Sequence, residues 1–206
     1  MASSMIHMVV ANEINKKLNR DTYKLLIGTI APDISKLVGE TKVKSHFVDG
    51  EFDSIPNIDR FLNKYKNYLY DDFVMGYYIH LYTDYLWFKY FLDNVDYSSM
   101  ITSIDGTKVF CNKDDFIKYV YNDYTNLNIK LIDKYNMDLK IFYNDIPEIT
   151  HIIDEIPMDK LGLIVDKTSN IIANSKMKTA YLFNLKNTEN FIKLATELIL
   201  SDIEKL

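Results

Sequence analysis

The stretch from Asp71 to Val95 constrains the fold of this chain most strongly. Its apolar residues recur at steps of three and four, the period of an α-helix with one buried face, and proline is absent from it. His80 and Asp84 lie on this apolar stripe, between Tyr77 and Trp87. The sequence therefore predicts a long helix that carries two ionisable side chains on the face pointing into the core.

Helical periodicity dominates the rest of the chain. The sequence predicts helices over about 4–18, 21–30, 57–68, 114–135, 159–175 and 187–204, with one small hairpin near 104–112. Pro32 is expected to end the second helix near Ile30, and residues 33–56 are expected to be irregular. Because no linker or repeat divides the chain, we expect a single all-α domain over residues 1–206, built as a multi-helix bundle.

Charge and cysteine content exclude several classes of protein. The net charge is −5 and only two arginines occur, so a nucleic acid is not expected as a stable partner. Cys111 is the only cysteine, which excludes an intrachain disulfide and a cysteine-based zinc site. The first residues lack the basic start of a secretory signal, and the most apolar stretch contains His80, Asp84 and Lys89. We therefore expect a cytoplasmic protein without a transmembrane segment.

The pair on the long helix indicates either a metal site or a buried hydrogen bond. An ionised Asp84 buried without a partner would cost several kcal/mol, so it requires an opposite charge or a cation. His80 lies one turn earlier, with its Cβ roughly 5–6 Å from that of Asp84. This spacing allows both side chains to bind one ion, but it equally allows a His–Asp hydrogen bond that only orders the core.

Three further residues favour the metal site. His7 lies on the apolar stripe of the first helix, where an imidazole needs a partner. Asp33 directly follows Ala31-Pro32, and His46 lies in the segment expected to be irregular. Each residue alone has an ordinary structural interpretation. Together with the helical pair they form a set of nitrogen and oxygen ligands that is typical of zinc.

These residues also occur in an order that resembles a known family. His7 is followed by Gly28-Thr29-Ile30-Ala31-Pro32-Asp33, then by Ser45-His46-Phe47, and then by the helix containing His80 and Asp84. This order is similar to that of the zinc-dependent phospholipase C superfamily, an all-α family that includes relatives of the P1-type nucleases. The resemblance covers roughly residues 1–95.

The resemblance implies a helical bundle with zinc held in a cleft between helices. It implies that the metal ligands are His7, Asp33, His46, His80 and Asp84, and that Asp84 bridges two ions. The family's further histidines after the H-x-x-x-D pair are absent here. The late H-x-x-x-E pair has one match, His151 and Glu155, which lies between two prolines and is the weaker candidate. One or two zinc ions are therefore expected.

The expected function is a zinc-dependent hydrolysis of phosphoesters by metal-activated water, with a phosphodiester or a phospholipid head group as substrate. Asp33 either completes the ligand set or accepts the proton of the attacking water. A metal-stabilised helical binding or scaffold protein without turnover is the alternative. A phosphohydrolase with a histidine–aspartate dyad is disfavoured, because no adjacent His-Asp dipeptide occurs.

Overall fold

The computed structural model describes residues 1–50, 55–92, 100–102, 108–110, 113–178 and 180–206. The fold is all-α, as the sequence predicts. The helices are α1 (Ser4–Leu18), α2 (Thr22–Ile30), α3 (Lys42–Ser45), α4 (Ile58–Tyr65), α5 (Asp72–Leu86), α6 (Lys113–Tyr135), α7 (Leu161–Ala173) and α8 (Leu185–Ile203). Short 3₁₀ segments cover Ala31–Leu37, Lys66–Tyr68, Lys140–Phe142 and Met158–Lys160, and a π-helical turn covers Trp87–Leu92.

Side-chain caps fix the starts of the helices that carry the site. Ser3 accepts a hydrogen bond from the Ile6 N–H at the start of α1. Asp21 and Asp71 each accept two backbone N–H groups in the first turns of α2 and α5. These contacts satisfy donors that have no partner within a helix, so the starts are encoded locally. The predicted starts of all three helices are confirmed.

The prediction of an irregular segment over 33–56 is wrong in its first part. The chain continues without a break from α2 into the 3₁₀ segment Ala31–Leu37, and α3 follows. Pro32 is compatible with this path because it occupies the first turn of the 3₁₀ segment, where a missing N–H removes no helical hydrogen bond. Asp33 therefore lies on a helical turn rather than in a loop.

The hairpin predicted near 104–112 is matched by two short strands, β1 (Met100–Thr102) and β2 (Lys108–Phe110). They pair antiparallel, with Ile101 opposite Val109. Residues 103–107, where the predicted turn falls, lie outside the described residues, as do 93–99 at the predicted end of the long helix.

Two glycines let α2 and α5 approach closely. A Cβ added at Gly28 would lie 2.2 Å from the Phe73 carbonyl oxygen, and one added at Gly76 would lie 2.1 Å from the Leu25 carbonyl oxygen. Both distances are far shorter than any real contact, so only glycine fits at these positions. This contact brings the second half of α5 beside Thr29 at the end of α2.

The remaining helices pack around this pair. α1 contacts α2, α5 and α8, while α7 packs on the 3₁₀ segment that contains Asp33. The core is continuous and strongly aromatic, with Trp87, Tyr77, Tyr78 and Phe61 fully buried. Within the described ranges, no helix is both long enough and apolar enough to cross a membrane.

Candidate metal centre

Four separate elements bring the predicted ligands together. His7 comes from α1, His80 and Asp84 come from α5, Asp33 comes from the 3₁₀ segment, and His46 directly follows α3. All three histidines and Asp84 are buried, whereas the Asp33 side chain is 23% exposed. The structure therefore places one partly accessible carboxylate beside four enclosed groups.

The ligand atoms converge on one small volume. Nε2 of His7 lies 3.2 Å from Oδ1 of Asp84, and Nε2 of His80 lies 3.6 Å from Oδ2 of Asp84. Nε2 of His46 lies 3.2 Å from Nε2 of His80, 3.8 Å from Oδ2 of Asp84 and 3.6 Å from Oδ1 of Asp33. Two groups of three ligands result, His7–His80–Asp84 and Asp33–His46–His80, which share His80.

The backbone of α2 fixes the tautomer of His80. Nδ1 of His80 lies 2.7 Å from the carbonyl oxygen of Thr29, and a carbonyl oxygen only accepts. Nδ1 therefore carries the proton, and Nε2 presents its lone pair to the cluster. Burial lowers the pKa of His80 to about 3, helped by the charge of His7, so the ring is neutral.

Lys42 and Ser45 fix the tautomer of His46 in the same sense. The Lys42 ammonium, which only donates, lies 3.2 Å from Nε2 of His46. Nε2 is therefore an acceptor, and Nδ1 donates to the Ser45 hydroxyl at 2.9 Å. Burial and the charge of Lys42 hold the pKa of His46 well below its usual range. Since neither Nε2 carries a proton, the 3.2 Å contact between the Nε2 atoms of His46 and His80 is not a hydrogen bond.

Asp84 is ionised and incompletely paired. Its Oδ1 accepts the backbone N–H of Ala2 at 2.8 Å, while its Oδ2 has no hydrogen-bond donor among the described residues. The ring nitrogens of His7 likewise have no hydrogen-bond partner there, although Nε2 lies 3.2 Å from Oδ1 of Asp84. Burial alone would raise the pKa of Asp84, but His7, the N-terminal ammonium and His80 together hold that pKa well below its usual range.

This arrangement fits a transition-metal ion. A tetrahedral zinc ion with bonds of roughly 2.0–2.1 Å separates its ligand atoms by about 3.3 Å. Each of the two groups of three ligands has one separation of 3.2 Å and one of 3.6 Å, which are close to that spacing. The lone pair of His80 and a buried carboxylate oxygen that lacks a donor among the described residues are unfavourable neighbours unless a cation lies between them. Imidazole and carboxylate ligands suit zinc, and they also suit other divalent metals of the first transition row.

Lys42 contacts the open side of the cluster. Its ammonium donates to Oδ1 of Asp33 as well as to His46, and its side chain is 17% exposed. Burial would raise the pKa of Asp33, but Lys42 together with His80 and His46 holds that pKa well below its usual range. Asp33 and Lys42 both line a cavity of about 570 Å³, which connects this side of the cluster to solvent.

The structure does not bring His151 and Glu155 to the cluster. His151 is exposed, and neither residue belongs to a described group of potential metal ligands whose atoms lie within 4.8 Å of one another. The Glu155 carboxylate instead accepts hydrogen bonds from the Tyr65 hydroxyl at 2.6 Å and from Lys64 at 2.7 Å. It therefore attaches the segment before α7 to α4.

The sequence pointed to Lys42 only as a residue that could attract a phosphate, and it identified neither the contacts of Lys42 with Asp33 and His46 nor the role of the Thr29 carbonyl. Lys42 lies four residues before His46, and this helical spacing was a usable signal because α3 places the two side chains on one face. No local signal exists for Thr29, since its carbonyl meets His80 only through the packing of α2 on α5.

Comparisons with the models of known protein families, with curated proteins and with solved structures find no match to this chain. The resemblance to the zinc-dependent phospholipase C superfamily therefore rests on the order of the motifs alone.

Proposed function

We propose that this chain binds a divalent transition-metal ion, zinc first among them, and uses it to hydrolyse a phosphoester. The observation that carries the proposal is the unpaired Oδ2 of the buried Asp84, which lies 3.6 Å from the lone-pair nitrogen of the neutral His80 imidazole. Within the described residues no side chain donates to that oxygen, which supports a metal ion as its partner.

The five residues divide into two roles. His7, His80 and Asp84 are fully buried, and they act as metal ligands on the side of the site that is shielded from solvent. His46 and Asp33 lie between this group and the cavity, where Asp33 either binds metal or accepts a proton from water. When bound, a zinc ion supplies Lewis acidity that brings the pKa of water from its bulk value to about 7.

The cavity supports a phosphoester as substrate. Lys36, Lys42 and Lys167 all line it, and burial together with the charge of Lys42 lowers the pKa of Lys36. Lysines attract and orient phosphate oxygens as point charges. The apolar part of the lining includes Val120 and Ile164, which suits an ester that carries a nonpolar group. A phosphodiester or a phospholipid head group is therefore the proposed substrate class.

A non-catalytic role is the second candidate, and the enclosure of the cluster favours it. A structural zinc site is closed by protein ligands, and His7, His80 and Asp84 are completely shielded from solvent.

Hydrolysis of bis-p-nitrophenyl phosphate by metal-replete protein separates the two candidates. We expect metal-dependent turnover that chelation abolishes and zinc restores. Bound metal without activity on phosphomonoesters, phosphodiesters and short-chain phospholipids would establish the scaffold role instead.

Thermal unfolding tests the metal independently of turnover. At a free zinc concentration about 100-fold above Kd, binding stabilises the folded state by about 2.7 kcal/mol. For a chain of this size we expect chelation to lower Tm by roughly 5–10 °C. An unchanged Tm, together with elemental analysis that finds no metal, would contradict the proposal.

A further inference from the structure

The ammonium group of Lys42 occupies the side of the cluster where a second metal ion would bind. It donates to Asp33 and to His46, which are two of the three residues of the second ligand group. The third residue, His80, has a single lone pair at Nε2 and can bind only one ion. His80 also belongs to the buried group His7–His80–Asp84. If an ion in that group uses His80, a second ion must bind through the other ligands.

A second ion would otherwise have a workable set of ligands. Asp33, His46 and the unpaired Oδ2 of Asp84 lie close enough for one ion, with 3.6 Å and 3.8 Å between the His46 nitrogen and the two carboxylates. The cavity adds room for water as a further ligand. Lys42 uses the same lone pairs of Asp33 and His46, so the lysine and a second ion exclude each other.

We propose that Lys42 takes the place of a second metal ion, so that the site binds one divalent ion in the His7–His80–Asp84 group. The lysine supplies the positive charge that Asp33 requires, and it does so without a metal. This inference rests on the proposed metal centre and specifies its stoichiometry. It also assigns Lys42 as a positioning residue that holds Asp33 and His46 at the mouth of the cavity.

The inference is tested by counting zinc ions in three proteins. Native mass spectrometry during titration with ZnCl₂ measures the count for the wild-type chain, for Lys42→Met and for the control Lys44→Met. Methionine keeps much of the length of lysine but removes its charge and its donors. Lys44 lies on the same short helix, and its side chain is exposed. We expect one zinc for the wild type, two for Lys42→Met and one for the control.

The zinc counts that would overturn the inference differ from those that would overturn the metal centre. If the wild type binds two ions, or if both the wild type and Lys42→Met bind one, Lys42 does not replace an ion, although the metal centre itself stands. If neither protein binds zinc, the proposed function fails as well. Should circular dichroism show that Lys42→Met is unfolded, Lys42→Arg provides the test. Arginine keeps the charge and the donors, so one zinc is expected, and two zinc ions would refute the inference.

Discussion

Asp84 and Asp123 are both completely buried carboxylates, but their surroundings differ in kind. Asp123 on α6 accepts the backbone N–H groups of three consecutive residues, at 2.9 Å from Tyr181, 2.6 Å from Leu182 and 3.1 Å from Phe183. In the part of the chain that the structure describes, Asp84 has one backbone donor for Oδ1 and none for Oδ2. Burial alone therefore does not identify a functional carboxylate.

The donors around each carboxylate explain this difference. The loop before α8 turns its N–H groups towards Asp123, so its buried charge is satisfied by the backbone and the loop is held on α6. Around Oδ2 of Asp84 the neighbouring atoms are imidazole nitrogens, of which Nε2 of His80 presents its lone pair. A buried carboxylate among donors is explained by the fold alone, whereas a buried carboxylate oxygen beside an acceptor is a candidate metal ligand.

The largest expected effect concerns zinc binding by Asp84→Asn. Asparagine keeps the shape of aspartate but is a much poorer zinc ligand. The affinity for zinc should therefore fall by more than about 100-fold, because even the loss of a residue that only supports a metal ligand can lower metal affinity by that factor. Titration against a chromophoric chelator measures it, and hydrolysis should fall in parallel. Asp123→Asn is the matched control and should bind zinc like the wild type. Equal losses in both variants would remove the distinction between the two carboxylates.

The next effect is on stability and concerns Asp123→Ala. This change leaves three backbone N–H groups of the loop without their acceptor, and we expect unfolding to become easier by about 3–5 kcal/mol. Urea denaturation in the presence of a chelator measures the change without a contribution from metal. A loss below about 1 kcal/mol, the scale of one ordinary hydrogen bond, would show that the loop finds other partners.

A smaller effect is expected for Gly76→Ala, which acts on the metal centre through packing. The new Cβ would meet the Leu25 carbonyl oxygen at 2.1 Å, so α2 and α5 must separate. Overpacking of this kind costs about 1–3 kcal/mol. Because His80 is held by Thr29 across the same contact, zinc affinity should fall as well.

Gly162→Ala provides the matched control for that variant. Gly162 lies in α7, and among the described residues the contact nearest to its added Cβ would be the end of the Ile146 side chain at 3.9 Å. Alanine should therefore leave zinc binding unchanged and raise stability by about 0.4–1 kcal/mol. If both alanine variants behave alike, the close approach of α2 and α5 does not position His80.

The starts of the helices and the placement of His80 and Asp84 on α5 could be predicted from the sequence. Helix starts at Ser3, Asp21 and Asp71 follow from capping, and the position of His80 and Asp84 on one face follows from helical spacing. Such signals act within one or two turns of the chain, so they are encoded locally. The same local rules correctly placed the end of α2 near Ile30, but they could not show that a 3₁₀ segment would follow it directly.

Contacts between parts of the chain that are distant in sequence could not be predicted. Asp123 is satisfied by residues about sixty positions later, and Glu155 is bound by Lys64 and Tyr65 about ninety positions earlier. No local pattern distinguishes the carboxylates at these two positions from Asp84. The H-x-x-x-E spacing of His151 and Glu155 satisfied the same criterion as the pair on α5, although their environments differ.

A zinc-loaded crystal of the wild-type chain, with anomalous diffraction recorded on both sides of the zinc absorption edge, tests the metal centre most directly. We predict one strong anomalous peak bounded by Nε2 of His7, Nε2 of His80 and the carboxylate of Asp84. We predict no peak between Asp33 and His46, where Lys42 lies. An ordered cluster without an anomalous peak at saturating zinc would refute the proposed metal centre.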